Sequence, residues 1–102
     1  MKLGKWEING KAALAPMAGV ADRAFRRVCA DYGAEFVVGE MVSCKGLCFG
    51  DKKSEELLVL DDEARPAAVQ LFGDDPAIMA RAATLAMSRR PDWIDINMGC
   101  PA

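Results

Sequence analysis

Histidine is absent from this 102-residue sequence, so any acid–base pair or metal site must be built from other residue types. A surplus of cations is missing too: 13 Lys and Arg stand against 15 Asp and Glu, a net charge of −2. Nucleic-acid-binding domains usually carry a basic excess, and this segment has no such electrostatic footprint of its own. No apolar run approaches the roughly 20 residues needed to span a bilayer, so no membrane association is expected. The opening Met1-Lys2-Leu3-Gly4-Lys5-Trp6-Glu7 lacks an apolar signal core, which points to the cytoplasm rather than to secretion. Low-complexity stretches and linkers are also lacking. What is present is a chain 52% hydrophobic and 27% charged, a balance that fits one small globular unit over residues 1–102 and argues against disorder.

The four cysteines, Cys29, Cys44, Cys48 and Cys100, read as reduced thiols, since nothing places the chain in an oxidising compartment. Cys44-x3-Cys48 is only a loose match to zinc-ligand spacing and the other two cysteines are far apart, so no metal is expected. Cys29 falls on an apolar helix stripe, and it, Cys44 and Cys48 read as small buried hydrophobes.

Periodicity gives a repeated alternation of strands and helices. Ala12–Ala15 is a short apolar run stopped by Pro16 and reads as a buried strand. Ahead of it, Trp6-Glu7-Ile8 and an Asn9-Gly10 turn suggest a small hairpin. Asp22 caps a helix whose apolar positions, Phe25, Val28, Cys29 and Tyr32, share one face, with Arg23, Arg26 and Arg27 off that stripe and Gly33 as its stop. Phe36–Glu40 reads as a second strand, with short helical pieces following around Cys44–Phe49 and Ser54–Leu58. Ala67–Phe72 is a third strand. Asp75 caps a further helix with Pro76 in its first position and Ile78, Met79, Ala82, Ala83, Leu85 and Ala86 on its apolar face. Trp93–Asn97 is a fourth strand. This order predicts βαβ units and a parallel sheet. A parallel strand normally hands over to a covering helix, and none follows the fourth, so we expect the front of a larger domain.

Distinctive residues fall at the C-terminal ends of these strands, where α/β folds bind ligands. Pro16-Met17-Ala18-Gly19 follows the first, Glu40 ends the second, Gln70 lies in the third, and Asn97 and Cys100 follow the fourth. Each also has a plainer reading. Pro16 and Gly19 shape a turn, Glu40 pairs with an arginine, Gln70 satisfies backbone, and Asn97 forms a turn. Cys100 differs from the other cysteines in sitting in an exposed Gly-Cys-Pro turn.

At these residues the sequence resembles a known family. Leu14-Ala15-Pro16-Met17-Ala18-Gly19-Val20, then Asp22 and Phe25-Arg26, is similar to the opening motif of the tRNA-dihydrouridine synthases. Ile94-Asp95-Ile96-Asn97-Met98-Gly99-Cys100-Pro101 resembles their signature, and Val69-Gln70-Leu71-Phe72-Gly73 with Asp75-Pro76 stands between in the family's order. The similarity runs over about residues 12–102 and is nearest to the bacterial B-type subfamily. Ala21 departs from the family's usual Thr or Ser before the Asp. The resemblance implies an α/β fold that is the first half of a (β/α)8 TIM barrel, about four βα units. The second half-barrel and the helical tRNA-binding domain would be missing. It implies reduction of selected tRNA uridines to 5,6-dihydrouridine with FMN as cofactor and NADPH as reductant. Pro16, Met17 and Ala18 would lie along the flavin, and Gln70 would bond its edge. Asn97 would read the uracil, and Cys100 would donate a proton to C5. A thiol, mostly protonated at neutral pH, suits that role. Two other readings are a related flavin barrel acting on a free pyrimidine, similar to dihydroorotate dehydrogenase, and a non-catalytic fragment.

Overall fold

The computed structural model describes residues 1–100, so Pro101 of the closing motif lies outside the described residues. A two-residue hairpin leads, pairing β1 (Lys2–Leu3) antiparallel with β2 (Trp6–Glu7). Its turn is Gly4-Lys5, not the expected Asn9-Gly10. Gly4 takes φ +60, which a tight hairpin turn requires and glycine adopts without strain. Gly10 serves close packing instead: a Cβ there would stand 2.7 Å from that of Glu35.

The main sheet holds β3 (Val37–Ser43), β4 (Ala67–Phe72) and β5 (Trp93–Asn97), all parallel and in chain order. The last two match the ranges read from the sequence, and β3 runs three residues beyond the expected end at Glu40. The expected strand at Ala12–Ala15 contracts to one parallel bridge, Leu14 with Val37. Leu14 N–H donates to Phe36 O at 3.0 Å and Leu14 O accepts from Val38 N–H at 3.1 Å, which places this segment beside β3. It is largely exposed rather than buried, because among the described residues nothing packs on its far edge.

The helices start where side chains cap them. Asp22 accepts from Phe25 N–H at 2.8 Å to begin α1 (Arg23–Asp31). Ser43 and Asp51 cap α2 (Cys44–Cys48) and α3 (Lys52–Leu57). Asp75 accepts from Ala77 and Ile78 N–H groups, with Pro76 opening α4 (Pro76–Ala86). The main core lies between one face of the sheet and α2 and α4. Val42, Val69 and Leu71 meet Cys44 and Leu47 of α2 and Ala82 and Ala86 of α4 there. Ile78, Met79 and Ala83 join this core as expected, but Leu85 is exposed.

Helix α1 reverses the sequence expectation. Phe25, Val28 and Tyr32 point outward, with Val28 50% and Tyr32 90% exposed, while Arg26 is only 4% exposed. The helix meets the sheet through Ala30, which packs on Val37, Ala64 and Ala67. No helix among the described residues is long and apolar enough to cross a membrane.

Candidate functional site

Strand alternation turns Val69 and Leu71 toward the helices and Ala68 and Gln70 to the opposite face. Parallel register sets Gln70 beside Asp95 and Phe72 beside Asn97. Three side chains on this face meet directly. Gln70 Nε2 donates to Asp95 Oδ2 at 2.5 Å. Asn97 Nδ2 donates to Gln70 Oε1 at 3.3 Å and lies 3.8 Å from Met41 Sδ. The contacts continue into the turn after β5, where Asn97 Oδ1 accepts from the backbone N–H groups of Gly99 and Cys100, both at 3.0 Å. Of the residues singled out in the sequence, Gln70, Asn97 and Cys100 are therefore brought into one connected unit. The turn-forming reading of Asn97 holds in the geometry. Its second N–H, near the weakly accepting Met41 sulfur, is the group left to read another molecule.

Cys100 is half-buried and lines a cavity of about 600 Å³ at the C-terminal ends of β3, β4 and β5. Ser43, Phe72, Gly73, Asn97 and Met98 form its walls, and Lys45 and Asp74 face each other at 3.6 Å. None of the other three thiols is among the residues lining this cavity. Cys44 is buried in the core, which pushes its pKa up, and Cys48 donates weakly to Ile78 O at 3.4 Å. All four cysteines are free, and no group of three or more potential ligands that could hold a metal occurs among the described residues.

Pro16, Met17 and Ala18 belong to a different cluster. Their loop turns back on itself, with Met17 O accepting from the N–H groups of Val20 and Ala21 at 3.0 and 2.8 Å. Gly19 takes φ +76 and donates its N–H to Glu40 Oε1 at 2.5 Å. Glu40 lies inside β3 rather than at its end. It sits in a bulge where Gly39 and Glu40 together face Val69, since Val38 pairs with Ala68 and Met41 with Gln70. The bulge aims Glu40 at the loop.

Arg26 completes this clamp. Its guanidinium donates to Ala21 O at 2.7 Å and Val59 O at 2.8 Å. Gly39 makes the approach possible, for a Cβ there would lie 3.3 Å from Arg26 Nη1. Burial lowers the Arg26 pKa, while the negative charges of Glu40 and Asp22 oppose that shift. No ion pair closer than 4 Å forms between Arg26 and Glu40 among the described contacts, so the expected Glu40–Arg pairing is a through-space attraction, and the hydrogen bond of Glu40 goes to Gly19.

Sequence reasoning missed Asp95, Met41 and the buried role of Arg26. Asp95 carries one usable signal: it stands two residues before Asn97 in a strand and so shares its face. Its register with Gln70 is tertiary information. Chemically, the unit offers amides to hold a planar polar edge and a thiol to move a proton. None of these groups supplies a hydride, so a reduction beside Cys100 draws its electrons from a cofactor.

Known proteins resemble this chain over nearly its whole length. The family model described as dihydrouridine synthase matches residues 13–102. The chain is 43% identical over 102 residues to the tRNA-dihydrouridine synthase B of Vibrio cholerae, covering 100% of this chain and 32% of that protein. It is 43% identical to the protein of the same name from Pseudomonas aeruginosa, again over the whole chain and 31% of the relative, and 40% identical to that of Salmonella typhimurium. The chain thus spans about a third of the length of the curated relatives it matches.

Proposed function

The chain belongs to the dihydrouridine synthase family, and on that premise we propose that it forms the first half of a (β/α)8 barrel that reduces uridines in tRNA. Two features support the barrel. The strands follow chain order, whereas a doubly wound sheet reverses its order at a switch point. Apolar residues are left exposed on α1, Phe25 and Val28, and on the edge strand β5, Ile96, as surfaces for further βα units would be.

The observation that carries the activity is the continuous contact from Gln70 through Asn97 to the Cys100 turn, at the C-terminal ends of parallel strands. FMN fits this setting: among the described residues Gln70 keeps one N–H and one lone pair uncommitted, and Glu40 pins the 16–19 loop through Gly19. The chemistry such a cofactor supplies when bound is hydride transfer, from NADPH to C6 of the uracil ring. The chain's own residues do the rest. Pro16, Met17 and Ala18 offer a low surface for a planar ring, and Gln70 orients its edge. Asn97 presents its remaining N–H to the uracil. The Cys100 thiol gives its proton to C5, which balances the hydride and leaves a saturated C5–C6 bond. Recognition of tRNA falls mainly to parts outside these residues, consistent with a net charge of −2, and the setting is cytoplasmic.

The test uses the full-length protein. Reduced with NADPH and mixed with unmodified tRNA, it should reoxidise its flavin and yield dihydrouridine, and it should not do so with free uracil or orotate. Reoxidation by a free pyrimidine and not by tRNA would replace this reading.

A further inference from the structure

We infer that Asp95 is a positioning residue, the fixed end of a directional relay of amides that sets the turn carrying Cys100. The inference rests on the reading of Cys100 as proton donor and extends it to a residue that makes no contact with Cys100 itself.

An ionised carboxylate has only acceptors, so the Gln70 amide must present its NH2 to Asp95. That choice turns Gln70 Oε1 toward Asn97, where only an N–H can meet it. Asn97 must then turn its own oxygen the other way, toward the chain after β5, where it accepts from Gly99 and Cys100 N–H. The relay is thereby set from both ends, by an acceptor-only carboxylate at one and by donor-only backbone N–H groups at the other, and the carboxylate adds to the hold on both amides. Flipping either one puts oxygen against oxygen at one end of the relay and leaves N–H facing N–H at the other. Asp95 is half-buried, and no Lys or Arg pairs with it among the described residues. A carboxylate kept there without a countercharge is costly, and the relay gives it a function.

The test is made on the full-length flavin-bound protein. Asp95→Asn preserves shape but can face Gln70 with either end, so the direction is no longer enforced from the β5 carboxylate. The first readout is amide hydrogen exchange at Gly99 and Cys100, which involves no turnover. In the wild type these amides should exchange more slowly than that of Met98. In Asp95→Asn they should lose part of that protection, and reoxidation by tRNA should slow about 10–100-fold, the usual consequence of a misplaced reacting group. The double change Gln70→Glu with Asp95→Asn returns an acceptor-only group to the relay, now facing Asn97, and should restore protection of both amides. It also serves if Asp95→Asn alone does not fold. Wild-type amides as unprotected as Met98, or a folded Asp95→Asn with unchanged exchange and reoxidation, would overturn the relay. If instead Cys100→Ser reoxidises normally while the exchange results hold, the reading of Cys100 fails and the relay stands as a structural device.

Discussion

Replacing Arg26 with methionine removes a buried guanidinium that ties the 16–21 loop to the segment after α3. Two carbonyls, of Ala21 and Val59, lose their donors, and Glu40 loses its nearest buried cation. Each carbonyl left unpaired away from water costs about 1–3 kcal/mol. Against this, the methionine side chain adds apolar packing worth about 1 kcal/mol. The net expectation is a loss of roughly 1–5 kcal/mol. Arg26→Lys should fall between, since one ammonium on a linear stem cannot serve two carbonyls placed for a planar fork. The assay is urea unfolding of the full-length protein at neutral pH, with the slope checked for constancy so that midpoint shifts report stability. A methionine variant within about 0.5 kcal/mol of wild type would show that the guanidinium only fills space, and the clamp would fall.

Glu40→Ala should weaken FMN binding at least about tenfold by releasing Gly19, whereas Glu40→Gln keeps an acceptor and should bind nearly normally; flavin fluorescence titration decides, and equal losses would place the effect in charge rather than in the hydrogen bond. The isolated 102-residue chain should self-associate on size-exclusion chromatography, because Val28, Tyr32, Ile96 and Met98 are exposed and both sheet edges are open; a monodisperse monomer with a sharp, concentration-independent melt would contradict this. Hydrogen bonds from the Ser54 hydroxyl and amide hold the Asp51 carboxyl below the usual carboxylate range. A depressed carboxylate stabilises the fold above its unfolded pKa of about 3.9, and that contribution is lost as pH falls through the folded value. Asp51→Asn should thus lower the urea midpoint at neutral pH and converge on wild type as pH falls below the folded value; a gap independent of pH would refute the assignment.

Local rules carried much of the fold. The caps Asp22 and Asp75, Pro76 at the head of α4, and the strands Ala67–Phe72 and Trp93–Asn97 stand where propensity and periodicity put them. The misses are tertiary. The α1 stripe of Phe25, Val28 and Tyr32 has a clear helical period, but period alone does not say which surface it covers, and the sheet is met through Ala30 instead. Arg26 falls off the apolar stripe, and nothing local announces that the carbonyls of Ala21 and the distant Val59 converge on it. Glu40 was legible as a distinctive residue, but its aim depends on a one-residue bulge that only pairing with β4 reveals. For the candidate site, Gln70, Asn97 and Cys100 could be named from type and position at strand ends. Asp95 needed the β4–β5 register to appear as their partner.

The central claim is that the Cys100 thiol supplies the proton. Cys100→Ser in the full-length protein keeps a near-isosteric side chain and both backbone hydrogen bonds to Asn97, but replaces the thiol with a far weaker acid. Stopped-flow traces separate reduction of the flavin by NADPH from its reoxidation by tRNA. Reduction should be unchanged, and reoxidation should slow by roughly 10²–10⁴-fold, the usual worth of a general acid. Reoxidation at the wild-type rate would mean that the proton comes from elsewhere.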